Sequence, residues 1–202
     1  MATISKQGRR QRKESPEATE LLVLELQAIH NAESQLARVV PRLSKAIESE
    51  KLGQMMDERL EEGERIIKEI EGVFDELEES PGRRRNVAAE GLINDAREHV
   101  QEIEAGPSLD AVLIGSIQKT EHYCIAAWGT ARALGEAVGQ KTAVQAMDRA
   151  LKEGGKFDER LTALAVKEIT PALLAQGSEA EEGGEGGRGR QGSGGSKRRA
   201  SA

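Results

Sequence analysis

Two glutamates stand where apolar side chains belong. In the series Leu22, Leu26, Ile29, Glu33, Leu36, Val40, Leu43, Ile47 the steps alternate four and three, so Glu33 faces the way its apolar neighbours face. Ile114, Ile117, Glu121, Cys124, Trp128, Ala131 and Gly135 repeat the pattern and put Glu121 and Cys124 on the buried side of a second helix. An unpaired carboxylate taken out of water costs several kcal/mol, so each glutamate needs a proton, a cationic partner or a metal ion. Two further stripes carry polar residues near mid-helix: Arg59 with Glu62, and Asp158. In a bundle of helices of similar length these positions fall in one layer. Convergent carboxylates on facing bundle helices are the layout that holds two iron or manganese ions, because hard oxygen donors suit such ions and the ions neutralise the buried charge. The competing expectation needs no metal: Arg59, with Glu62 one turn on, can pair with Glu62 and Glu33 and neutralise the layer itself.

The elements that must position these residues are all helical, and period-two runs of β-branched residues are missing. The first helix is predicted over about 17–48, with Pro16 suited to its first turn and Pro41 expected to kink or bend it. A second, about 52–78, uses Leu52, Met56, Arg59, Gly63, Ile66, Ile70, Val73 and Leu77, and SPGRRRN ends it. The third covers about 86–104, and Gly106-Pro107 closes it. Ser108 is expected to cap the fourth, about 109–138, whose broad apolar surface makes it central and which Gly139 stops. The fifth runs from about 142 to 168, ahead of Pro171. Long helices with short connections give an all-α, up-and-down bundle of about five helices.

The ends differ from the middle. Residues 1–16 and 177–202 read as disordered tails, the first basic and the second Gly-rich, around a bundle over 17–170. Residues 1–13 and 177–202 hold ten Lys/Arg and four Glu, which leaves a net charge near −12 between them. Basic tails on an acidic bundle can make weak, salt-sensitive, sequence-independent contacts with nucleic acid, or can simply keep the protein in solution. Four aromatic residues, Phe74, Tyr123, Trp128 and Phe157, are too few for a surface that stacks on bases. The single cysteine allows no internal bridge, and neither an export signal nor a membrane span is expected, which together point to the cytoplasm. Zinc spacings, phosphate-binding glycine loops and nucleophile–base pairs are not found.

Five stretches carry a resemblance: ELQAIHNAESQL (25–36), RLEEGERIIKEIEGVF (59–74), AAEGLI (88–93), QKTEHYCIAAWGTARAL (118–134) and KFDERL (156–161). Over about 17–168 the chain resembles the YciE/YciF-type ferritin-like proteins, a bacterial stress-associated group. The resemblance implies a ferritin-like bundle with a carboxylate metal site, a homodimer, and a cytoplasmic role in stress. Glu33, Glu62 and Glu121 match the family's inward ligands. Arg59 stands where the family usually has His, Cys124 where it usually has Glu, and Gly154 where a Glu of an acidic pair is typical. Gly154 supplies no ligand and Arg59 supplies a fixed positive charge, so one reduced ion site and a metal-free salt-bridged layer stand beside the two-ion reading. Asp158 and Glu90 are the substitutes available to a working two-ion site. His122, Cys124 and His30 are secondary candidates, each with an alternative as a hydrogen-bonded or packed residue. If the layer is catalytic, oxygen or peroxide would be the other reactant.

Overall fold

Helix starts coincide with residues that can serve a first turn. In the computed structural model, which describes residues 16–176, Pro16 opens α1 (Pro16–Leu43). The Ser49 hydroxyl accepts the Leu52 N–H ahead of α2 (Glu50–Glu76). Asn86 Oδ1 accepts the Ala89 N–H at 3.0 Å ahead of α3 (Val87–Glu102). Pro107 is the first residue of α4 (Pro107–Val138), so the predicted cap at Ser108 is displaced: Gly106 holds the cap position and offers no side chain. Gln140 caps α5 (Lys141–Leu164) just after α4 stops at Gly139, whose φ of 80° suits a residue without Cβ.

Two boundaries differ from expectation. The first helix ends at Leu43, followed by a single 3₁₀ turn over Ser44–Ala46 and an extended Ile47. Asp110 of α4 accepts the N–H groups of Glu48 (3.1 Å) and Ser49 (2.8 Å), which draws those residues out of α1 and into the start of α2. At the other end α5 does not stop near residue 168. It widens into a π turn over Ala165–Ile169 and stays helical to residue 176, passing Pro171, whose missing N–H a regular ladder would have to absorb.

α1 packs on α2 and α4, and α5 packs on the same two, so α1, α2, α5 and α4 form a ring in which α2 and α4 face each other diagonally. α3 lies outside, against α4 and α1. The interior divides in two. One cluster contains Leu22, Leu26, Ile70, Phe74, Trp128 and Met147, and the other Leu52, Met56, Leu109, Leu113, Phe157 and Leu161. Burying each such side chain contributes about 1.5–3 kcal/mol. The switch from one cluster to the other falls at the polar positions 33 in α1, 59–62 in α2 and 121 in α4, and at Gly154 in α5. This is an up-and-down helical bundle of ferritin-like type. No helix among the described residues is long and apolar enough to cross a membrane.

Candidate functional site: a charged layer closed by an arginine

Between the two apolar clusters Arg59 lies almost wholly inside the bundle. Its Nη1 and Nη2 donate to Glu33 Oε2 and Oε1, both at 3.1 Å, and its Nε donates to Glu121 Oε2 at 2.7 Å. Glu33 is 0% exposed, Glu121 2% and Arg59 5%. The fork of the guanidinium therefore grips one carboxylate with two bonds and bridges the ring's diagonal with a third. Burial works against the charge of Arg59, but the Glu33 and Glu121 carboxylates outweigh it and hold its pKa well above the usual arginine range. The Trp128 ring completes the floor, its centroid 5.7 Å from the guanidinium carbon.

Two glycines make room. A Cβ at Gly154 would stand 2.5 Å from Glu121 Oε1 and 2.5 Å from Trp128 Cζ3, and one at Gly63 would stand 2.9 Å from Glu33 Oε2 and 3.1 Å from Arg59 Nη1. Gly63 lies one turn from Arg59 on the same stripe, and its space-giving role is not evident from the sequence.

The remaining expected residues divide between the layer and the surface. Glu62 lies beside the layer but takes no hydrogen bond from Arg59, and its Oε1 is buried without a partner, as is Glu121 Oε1. The pairing of Arg59 with Glu62 expected from their spacing is thus replaced by one with Glu121, because the guanidinium points across the bundle instead of along its own helix. Burial pushes the Glu62 pKa up to about 7, with Arg59 pulling it down and Glu121 and Glu153 adding to the rise. Burial likewise raises Glu121, against the pull of Arg59. Cys124 is in the layer, where burial first and the Glu33 carboxylate next hold its thiol well above the ordinary range. It stays protonated at neutral pH and is a poor metal ligand in that form.

Asp158 turns outward. It accepts from Gln118 Nε2 at 2.9 Å and faces His122 Nε2 at 3.4 Å, and His122 is on the surface. Glu90 pairs with Arg85 at the exposed start of α3, and His30 Nε2 lies 3.1 Å from Glu71 Oε1. Tyr123 receives a hydrogen bond from Asn86 Nδ2 at 2.6 Å, which fixes the loop between α2 and α3.

Two cavities flank the layer. One, about 40 Å³, is apolar and lies among Leu36, Val40, Met56, Leu60, Ile93 and Ile117. The other is a cleft of about 290 Å³ between α2 and α5, where Glu62, Arg65, Glu153 and Phe157 meet.

Iron or manganese, expected from the resemblance, does not fit this donor set as it stands. Arg59 occupies three of the four oxygens that Glu33 and Glu121 offer and brings its own positive charge to the place where an ion would sit. Among the described residues no group of three or more His, Cys, Asp or Glu side chains is arranged to hold a metal ion.

Comparison with known proteins places this architecture. A family model described as a domain of unknown function, DUF892, matches residues 17–174. Protein YciF of Escherichia coli (strain K12) is 37% identical over 141 residues, which span 69% of this chain and 85% of that protein. The crystal structure of the E. coli stress protein YciF is similar with a TM-score of 0.73 at 34% identity, covering 77% of this chain and 99% of that one. YcfI from Rhodopseudomonas palustris is similar at a TM-score of 0.69 and 29% identity, over 76% of this chain and 97% of the other. Over residues 17–174, nearly the whole bundle, the chain belongs to the DUF892 family.

Proposed function

We propose that this protein is a YciF-type stress-associated bundle whose buried carboxylates are paired with Arg59 in place of iron or manganese, and that it works by binding partners without oxygen chemistry. The observation that carries this reading is the set of three N–H···O bonds from one buried guanidinium to Glu33 and Glu121. A stress role is supported by the similarity to the E. coli stress protein YciF. Homodimerisation and a cytoplasmic location follow from the resemblance. Contact with nucleic acid would run through the basic tails, which lie outside the described residues, as do the disordered tails expected there.

Metal analysis of protein purified without chelators tests the reading. Less than about one-tenth of an ion per chain, and no uptake of added iron or manganese, is the expected outcome; two ions per chain would sink it. A single bound ion is the second reading, favoured by the unpartnered oxygens Glu62 Oε1 and Glu121 Oε1, and the same measurement reads it as one ion per chain. Gel shifts at low salt with the full chain and with residues 14–176 test the tails. Equal shifts would remove them from the mechanism.

A further inference from the structure

We infer that Arg59 and Gly154 act together to decide what fills the layer: the arginine supplies its cation, and the missing Cβ at 154 gives Glu121 the room to reach that arginine. The inference rests on the metal-independent reading above and adds the residues that enforce it. Glu33, Glu62 and Glu121 bring three carboxyl groups to one buried layer, and among the described residues Arg59 is the one buried cation among them. A neutral side chain at 59 would leave those carboxyl groups facing one another with nothing to balance them. They would then have to bind protons or a cation from solution. The cleft between α2 and α5 touches both Arg59 and Glu62, so a cation has a route in.

Gly154 is the second half. Glu121 reaches Arg59 with Oε2 while its Oε1 lies 2.5 Å from the point where a side chain at 154 would begin. A Cβ there would collide with both Glu121 Oε1 and Trp128 Cζ3, so the carboxylate that accepts the 2.7 Å bond from Arg59 would have to shift. A residue with a side chain at 154 and an arginine in this position at 59 are therefore incompatible without rearrangement.

The test uses the full chain and Mn²⁺ as the probe, with Trp128, the chain's sole tryptophan, as an internal reporter. Equilibrium dialysis is run on wild type, R59Q, R59H and R59Q/E121Q. Wild type should take up no Mn²⁺, R59Q and R59H about one ion per chain with quenching of Trp128 emission, and R59Q/E121Q at least tenfold less than R59Q. Folded R59Q and R59H that bind no Mn²⁺ would overturn the role of Arg59 while leaving the metal-independent reading intact. Mn²⁺ on the wild type would overturn that reading itself. Should the Arg59 variants unfold without metal, the helical circular-dichroism signal with and without Mn²⁺ decides: recovery supports the inference, and no recovery counts against it. For Gly154, thermal midpoints of G154A are compared in the wild-type and R59Q backgrounds. A larger drop with Arg59 present is expected, and equal drops would remove Gly154 from the pair.

Discussion

Arg59 and Arg160 are both arginines bound to glutamate across a helix interface, yet they teach opposite things. Arg160 Nη1 lies 2.6 Å from Glu58 Oε2, with both side chains more than half exposed. Arg59 lies 2.7 Å from Glu121, with both almost fully enclosed. Distance does not separate the two pairs; water does. At the surface solvent screens the attraction and would receive either partner if the other were lost. Inside the layer nothing else can solvate a charge, so each member makes the others necessary without making the fold as a whole more stable.

The largest expected break in this contrast is R59A, which strands Glu33 and Glu121 and should lower the free energy of unfolding by about 3–5 kcal/mol in urea denaturation without added metal. Replacing the three charges together, as R59M/E33L/E121M, should recover that loss and bring the bundle to wild-type stability or about 1–4 kcal/mol beyond it. If the triple variant were as unstable as R59A, packing and not stranded charge would be the cause. A smaller effect is expected from Glu62. Its folded pKa of about 7 lies above the ordinary value of 4.5, so between these pH values the folded chain holds a proton that the unfolded chain has released. That contribution to stability is complete below about pH 4.5 and is lost as pH rises through about 7, amounting to roughly 1–3 kcal/mol. Unfolding curves of wild type and E62Q across this range should differ by that slope, and parallel curves would show that Glu62 does not titrate there. The smallest effect is R160A, under about 1 kcal/mol and reduced further by salt.

Much of this architecture is legible in the sequence because helix burial has a period. The stripes that carry Glu33, Arg59, Glu121 and Gly154 do face inward, and the break between apolar clusters falls where three of those stripes turn polar and the fourth carries Gly154. Which partner Arg59 chooses is not legible. Glu62 is its neighbour along the helix, whereas Glu121 is 62 residues away and meets it across the bundle's diagonal. Spacing along one helix reports which face a residue is on, but not where a long, flexible side chain ends on that face. Glu90 and Asp158 show the converse: as acids near the right height they qualify by sequence, while the structure gives them to Arg85 and to Gln118 with His122. The early end of α1 was hidden for the same reason, since the group that draws Glu48 and Ser49 away belongs to α4.

That carboxylate, Asp110, has a further consequence as a registration mark. It ties the start of α2 to the start of α4, so the two diagonal helices run in the same direction from a common origin. At 1.5 Å per residue Arg59 lies about 15 Å from Ser49, and Glu121 about 16 Å from Asp110. The two lengths act as matched rulers, and the ion pair forms where their ends coincide. A substitution between origin and layer leaves both lengths unchanged, whereas one inserted residue would swing Arg59 by about 100° and turn the bundle's only deep cation away from the acids it balances among the described residues.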